Sequence, residues 1–432
     1  MSESTFPKRH PIAHPTRRGF LTTAGITAAA ASMPQMVTAQ KSEQKKLRIG
    51  IIGCGGRANN VGDMARKDGR FEVVALADYF QSAVDEKGNK FKVPADRRFS
   101  GINCFKKMIE AGGIDICAVL SPPYFHPEQV EAAVEAGLHI WLAKPIAVDA
   151  SGVARIEAAA EKAASKSRCF LVDFQTRAFP HYHEAAKHAQ NGDMGTLGWG
   201  EIEGTCPAFG SRSEDKGPEG KLKNWLQWKD LCGESLVEFS IHSIDMASLI
   251  LGRAPISASG QCGRYLLDRL PGVPPSDVQD HWLVTYDYGD GLKVMFRGKR
   301  FDGHGLPDHH GIYVKLHGSE GSLSADYSGE VIIMGKKRFY GDRFMKEKGF
   351  ALTKDNKFRG LYNKGISANW NTFHDNIRQG DFSQATVAPS VQSHYLALLA
   401  REAGYAKGKT VMMEDVIKSQ KTMSFDISGL KS

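Results

Sequence analysis

Short, almost wholly apolar runs alternate with polar stretches through the first part of the chain. Residues 47–52, LRIGII, form the first run, and residues 71–77, FEVVALA, the second. Residues 114–120 and 139–142 supply two more. Runs this short and this apolar are expected of parallel strands buried on both faces. The stretches between them have helical length. Residues 81–92 are polar and charged, 102–111 stop at Gly112-Gly113, and 127–136 stop at Gly137. Glycine is the usual residue just past a helix end. Strands and helices in this order predict a doubly wound parallel α/β sheet. Ligands of such sheets sit beyond the carboxyl ends of the strands. Gly53 to Ala58, Asp78, Ser121-Pro122 and Lys144 all fall at those ends.

The first of these ends carries chemistry. Gly53-Cys54-Gly55-Gly56-Arg57-Ala58 fits G-x-G-x-x-(G/A), directly after a strand and before a helix. Gly53 permits the tight turn, Gly55 lets backbone approach a pyrophosphate, and Ala58 lets the helix pack close to the strand. The new helix N-terminus offers free N–H groups to the phosphates. Asp78, at the end of the second run, can accept hydrogen bonds from the adenine-ribose hydroxyls. These features predict a dinucleotide-binding Rossmann domain. Asp78 would repel a 2′-phosphate and no Arg or Lys follows before Lys87, so the expected cofactor is NAD rather than NADP.

Beyond residue 172 the alternation changes. A helix is expected over 183–191, a strand from Gly195 through 202, and further strands over 282–288, 292–297 and 312–317, with a turn at Gly318-Ser319-Glu320-Gly321. Helices are expected from Ala368, with Asn369 as an N-cap, and over 390–407. Glu238, His242 and Asp245 stand at i, i+4 and i+7 and would share one helical face. From the spacing alone, His242 is as much a core histidine satisfied by backbone as a functional one. Trp225, after a Gly/Lys-rich loop, could stack a sugar ring or simply pack.

Thr16-Arg17-Arg18-Gly19-Phe20-Leu21, an Ala-rich run and Val37-Thr38-Ala39 resemble a twin-arginine export signal with its cleavage site. This divides the chain into a leader over 1–39, a dinucleotide-binding domain over 40–172 and a substrate domain over 173–432. It also implies export to the periplasm by the twin-arginine machinery, which carries folded proteins with their cofactors. The formal net charge is +8, and Lys8, Arg9, Arg17 and Arg18 against Glu3 place part of it in the leader. The mild remainder, without a basic helix, excludes nucleic acid as the expected partner. No apolar stretch after the leader is long enough to span a membrane. The seven cysteines form no C-x-x-C pair and suggest no disulfide framework. Arg297, Lys299, Arg300, His304, Asp308, His309 and His310 cluster on one loop, without ligand spacing for a metal. No metal is expected.

Four segments together resemble the glucose–fructose oxidoreductase/inositol dehydrogenase/MocA family: GCGGRA at 53–58, SPPYFHPEQVEAAVEAGLHIWLAKP at 121–145, FQTRAFPHY at 174–182 and ESLVEFSIHSIDMASLILG at 234–252. The resemblance implies a second, α+β domain with an open, mostly antiparallel sheet and closing helices. It implies oxidation or reduction of a sugar, polyol or related carbohydrate with a nicotinamide cofactor. His242 would be the general base, Lys144 would stabilise charge on the same oxygen, and Glu238, in place of the family's Asp, would orient and tune them. The same resemblance puts Gly53, Gly55, Gly56, Arg57, Ala58, Asp78, Ser121, Pro122, His126 and Lys144 at the cofactor. It puts Lys144, Gln175, Arg177, Trp225, Glu238, His242 and Asp245 at the substrate, and suggests a homo-oligomer. One departure stands out: the family's Glu before Lys-Pro is Ala143 here. Export argues for a tightly held NAD, and hence for two rivals: an NAD-retaining glycoside hydrolase that works by transient oxidation, and a non-catalytic sugar-binding relative.

Overall fold

The structure, a computed structural model, describes residues 45–301, 311–349 and 358–432, with the side chains of 358–361 outside the description. The leader, and His304, Asp308, His309 and His310, lie outside the described residues. The apolar runs become β1 (Leu47–Ile52), β2 (Phe71–Asp78), β4 (Ile116–Val119) and β5 (His139–Ala143), joined by the short β3 (Arg98–Ser100) and by β6 (Phe170–Asp173). They form a parallel sheet in the order β3-β2-β1-β4-β5-β6. All four residues of β4 and of β6 are buried, as helices on both faces require. Crossovers leave β1 in one direction and reach β4 in the other, so the two carboxyl ends open a crevice there. The helix Gly56–Asp68 follows β1 and buries Ala58, Val61, Gly62 and Ala65. Their spacing is that of one helical face.

The second sheet runs β14-β13-β12-β11-β7-β10-β9-β8-β15. Its strands are β7 (Leu197–Pro207), β8 (Ser257–Gly263), β9 (His281–Asp287), β10 (Lys293–Phe301), β11 (Ile312–Gly318), β12 (Gly321–Asp326), β13 (Val331–Met334), β14 (Phe339–Tyr340) and β15 (Val411–Met412). Only the β7–β10 pair is parallel among the described residues. The expected turn at residues 318–321 closes the β11–β12 hairpin, with Gly318 opposite Gly321. The helix Ile241–Leu251 lies on the buried face of this sheet. Its approach depends on Gly204 in β7, where a Cβ would sit 2.3 Å from the Ser240 side chain. Among the described residues no helix is long and apolar enough to cross a membrane.

One expectation fails. The helix expected to start at Ala368 spans Phe358–Gln379, and Asn369 lies inside it rather than at its cap. Asn369 instead donates to Asp173 Oδ1 at 2.6 Å. The Gly- and Asn-rich start of this helix has poor intrinsic propensity, and packing overrides it. Trp370 is fully buried and stacks on Trp141 of β5 at 5.2 Å. Gly365 passes so close to Gln175 that a Cβ would meet its side chain at 2.7 Å. This helix and Val387–Tyr405 thus pack back toward the first sheet.

Candidate active site

At the end of β1 the chain must turn beneath β4. Gly53 does so with φ +93°, and a Cβ there would be 2.6 Å from the backbone of Leu120. Only glycine meets both demands. Gly55 and Gly56 differ: a Cβ on either would meet nothing within 4 Å. That open floor is where a pyrophosphate could lie, facing a helix N-terminus that no side chain caps. The floor belongs to a cavity of about 330 Å³ whose walls include Asp78, Phe80, Ser121 and Pro122. Asp78 Oδ2 accepts from Cys54 N at 2.7 Å and Oδ1 from Phe80 N at 2.9 Å. The carboxylate therefore shapes the loop as well as facing the cavity. Burial pushes its pKa up, against the pull of these two N–H groups. These residues fit a dinucleotide.

Lys144 leaves the end of β5 and enters the crevice. Its Nζ donates to Glu238 O at 2.5 Å and to Glu238 Oε1 at 3.3 Å. The expected single helical face is more elaborate. Gly233 turns the chain at φ +77°, a π-helical turn spans Leu236–Ser240, and an α-helix continues over Ile241–Leu251. Single π turns inside helices recur at functional sites. This one places Glu238 against Lys144, with His242 one turn further along. His242 is buried, its ring 4.7 Å from that of Tyr327, and its Nδ1 has no partner. Glu238 Oε2 is also buried and unpartnered. Buried polar atoms are almost always satisfied in folded proteins, so two orphans side by side mark a place for a ligand.

Burial sets the charges here. It lowers the Lys144 pKa against the attraction of Glu238, and raises that of Glu238 against the attraction of Lys144. It lowers His242 well below its usual value, with the charges of Lys144 and Arg57 adding to the effect. His242 is therefore neutral at ordinary pH.

Residues 47–174 match the family profile described as "Oxidoreductase family, NAD-binding Rossmann fold", and residues 211–413 match the profile of its C-terminal α/β domain. The chain belongs to the Gfo/Idh/MocA oxidoreductase family. It is 24% identical over 282 residues to inositol 2-dehydrogenase of Rhizobium meliloti (strain 1021), covering 65% of this chain and 76% of the relative. It is also 24% identical over 304 residues to levoglucosan dehydrogenase of Pseudarthrobacter phenanthrenivorans, covering 66% and 74%. Among solved structures, levoglucosan dehydrogenase in complex with NADH and levoglucosan superposes with a TM-score of 0.67 at 19% identity, over 85% of this chain and 100% of the other. The myo-inositol 2-dehydrogenase of Lactobacillus plantarum gives 0.63 at 20% identity, over 85% and 99%. At identities this low, these superpositions show a shared fold and nothing further.

Within this Gfo/Idh/MocA chain several expected site residues take other roles. Asp245 is fully buried and accepts from Arg177 Nε at 2.8 Å, Ser393 Oγ at 2.7 Å and Thr176 Oγ1 at 3.4 Å. Its i+7 position shares the face of His242, but that stretch of the face meets Arg177 rather than the crevice. Gln175 is likewise closed in, donating to Asp173 O and accepting from Tyr327 Oη at 2.7 Å. His126 is buried and donates from Nε2 to Ser121 O at 2.7 Å, bracing the Ser121-Pro122 turn from behind. Burial lowers its pKa to about 4. Trp225 lines the cofactor cavity with Leu222 and Lys223, on the side facing Asp78 and Phe80. Arg297 pairs with Glu203 at 2.6 Å and Glu201 at 3.6 Å on β7.

Asp173 was not singled out from the sequence. It stands beside Ala143 in the β5–β6 register, where a carboxylate at either strand end faces the crevice. Fully buried, it pairs with Arg57, whose guanidinium lies 4.6 Å from the Tyr362 ring centroid and whose Nη1 is buried without a partner. Arg57 thus leaves the glycine loop and reaches toward the catalytic side. A carboxylate ending an apolar strand at the crevice was the available signal. Among the described residues no group of three or more His, Cys, Asp or Glu side chains is placed to hold a metal.

Proposed function

We propose that this protein is an exported, periplasmic oxidoreductase that uses NAD to oxidise a hydroxyl of a sugar or polyol, or to reduce the matching carbonyl. The observation that carries this reading is the Lys144–Glu238–His242 group, with His242 Nδ1 and Glu238 Oε2 buried and unpartnered beside the cofactor crevice. Gly53, Gly55 and Gly56 would hold the pyrophosphate and Asp78 the adenine ribose. Bound NAD would supply a nicotinamide ring to accept the hydride from the carbon that bears the reacting hydroxyl. His242, neutral by burial, takes the proton of the substrate hydroxyl. Lys144 donates to the same oxygen and stabilises its developing negative charge. Glu238 holds Lys144 in place and keeps one oxygen for a substrate hydroxyl. The relatives named for inositol and levoglucosan support a carbohydrate or polyol as substrate.

The cavity wall supports a cofactor that stays bound. The far side of the adenosine end is built by Arg212, Leu222, Lys223, Trp225 and Leu226 from the second domain. Tyr79 Oη donates to Glu219 at 2.6 Å, and the C-terminal tail reaches the same place, with Ile102 N donating to Lys431 O at 2.7 Å and Lys431 N to Tyr79 Oη at 3.1 Å. Such a roof suits an exported enzyme that meets little free NAD, and it equally suits glycoside cleavage through transient oxidation. One experiment decides. Protein purified from the periplasm is checked for bound nicotinamide by absorbance, then given sugars and glycosides with and without NAD. Net reduction of nicotinamide supports the dehydrogenase, and glycoside cleavage without net reduction supports the hydrolase. Failure to bind nicotinamide would refute both. An unprocessed N-terminus would refute export.

A further inference from the structure

Strand β10 alternates cleanly between the faces of its sheet. Val294, Phe296, Gly298 and Arg300 point to the buried side, and Lys293, Met295, Arg297, Lys299 and Phe301 to the other. Arg300 breaks the apolar row. It is only 1% exposed, within the range of the core leucines. Its Nη2 donates to Gln227 Oε1 at 2.9 Å, while its Nε is buried without any partner. A neutral amide is poor compensation for a buried guanidinium, which needs a counter-charge.

Three largely covered cations of the two domains each have one. Lys144 has Glu238, Arg57 has Asp173 and Arg177 has Asp245. Arg300 forms no ion pair with a carboxylate of the described residues. Its place is also close to the reacting centre. The guanidinium lies 5.3 Å from the centroid of Phe209, Phe209 stacks on Phe239 at 5.1 Å with 22° between the rings, and Lys144 Nζ lies 5.6 Å from Phe239. Both rings are half-buried. One end of this aromatic pair thus carries the catalytic lysine and the other an unmatched cation. The charge of Arg300 also reaches Glu238, where it opposes the effect of burial on the carboxyl.

We propose that Arg300 is the anion-recognising residue of the substrate site, and that the substrate is a carbohydrate bearing a carboxylate, a uronic or aldonic acid. The sugar ring would lie over Phe209 and Phe239, with its reacting hydroxyl at Lys144 and His242 and its carboxylate at the unpartnered Nε of Arg300. A planar carboxylate matches a guanidinium edge with two parallel hydrogen bonds. This rests on the reading of Lys144 and His242 as the reacting centre.

The test is titration calorimetry of the NADH-loaded protein at neutral pH with D-glucuronate and with D-glucose, which differ only in the carboxylate. The expected result is binding of glucuronate at least about tenfold tighter than glucose, as one charge-assisted hydrogen-bond pair allows. Arg300→Gln should remove that preference by weakening glucuronate about tenfold more than glucose, and Arg300→Lys should retain part of it. A merely structural Arg300 would weaken both sugars together. Equal binding of the two sugars by the unaltered protein, or a preference that survives Arg300→Gln, overturns the inference. The underlying reading is checked separately. If His242→Ala and Lys144→Ala leave turnover of every sugar intact, the reacting centre is wrong; if they abolish turnover while no acid preference exists, the Arg300 inference alone falls.

Discussion

Two cation–carboxylate pairs draw their carboxylates from the same short stretch of chain, and they end up with opposite characters. Arg177–Asp245 is closed. The carboxylate is fully buried, meets Arg177, Ser393 and Thr176, and joins three parts of the second domain. Lys144–Glu238 is open. Its contacts span the two sheets, Glu238 Oε2 and the neighbouring His242 Nδ1 lack partners, and burial pushes both members toward their neutral forms. The residue types are alike, and the two carboxylates stand seven residues apart on one helical stretch. The difference lies in satisfaction. A completed buried pair is structural, and an incomplete one beside a crevice is waiting for a substrate.

The comparison is broken most forcefully at Asp245. Asp245→Ala leaves Arg177 buried without a counter-charge and should cost about 3–5 kcal/mol of stability, read as a large fall in urea midpoint. A stability close to that of the unaltered protein would show the pair to be open after all. Glu238→Gln should do the reverse. It should lower turnover by about 100-fold, the low end of what a positioned acid–base group supplies, with a smaller stability loss than Asp245→Ala because Lys144 keeps its hydrogen bond to Glu238 O. Burial also gives a pH signature. His394 accepts from Ile146 N through Nε2 and donates through Nδ1 to Ser390 O, and burial lowers its pKa to about 3. His126 is lowered to about 4 in the same way. The unfolded chain takes up protons on these histidines below pH about 6.5 while the fold does not. Stability should therefore be level above that pH and fall as pH drops toward 4, which urea titrations at successive pH values would show. The smallest effect is Ser393→Ala, which removes one of the hydrogen bonds to Asp245 and should cost about 1 kcal/mol without altering turnover.

Much of the first domain could be read from residue order. The runs that became β1, β2, β4 and β5 are mostly buried and mostly apolar, so their sequence is easily read. The glycine loop was equally plain, because Gly53 meets a backbone constraint that no other residue satisfies. Lys144, Glu238 and His242 do converge. What escaped was partnership. Periodicity places Asp245 on the face of His242 but does not say that Arg177 waits there. It places no residue opposite Ala143, where Asp173 stands in register. Trp225 followed a loop whose destination only tertiary structure reveals, and the start of Phe358–Gln379 was hidden by glycines that packing requires. Arg300 was named from the sequence within a loop cluster, but with Arg297 and Lys299 it lies on β10, at a position where the alternation calls for an apolar side chain.

The central claim is that His242 accepts the substrate proton beside Lys144, on a cofactor held by the glycine loop. Its most direct test is a single-turnover measurement on His242→Ala with bound NAD and a sugar that the unaltered enzyme oxidises, following the absorbance of reduced nicotinamide. The rate of reduction should fall by about 10²–10⁴-fold, with the affinity for NAD unchanged. Reduction at the unaltered rate would contradict the claim.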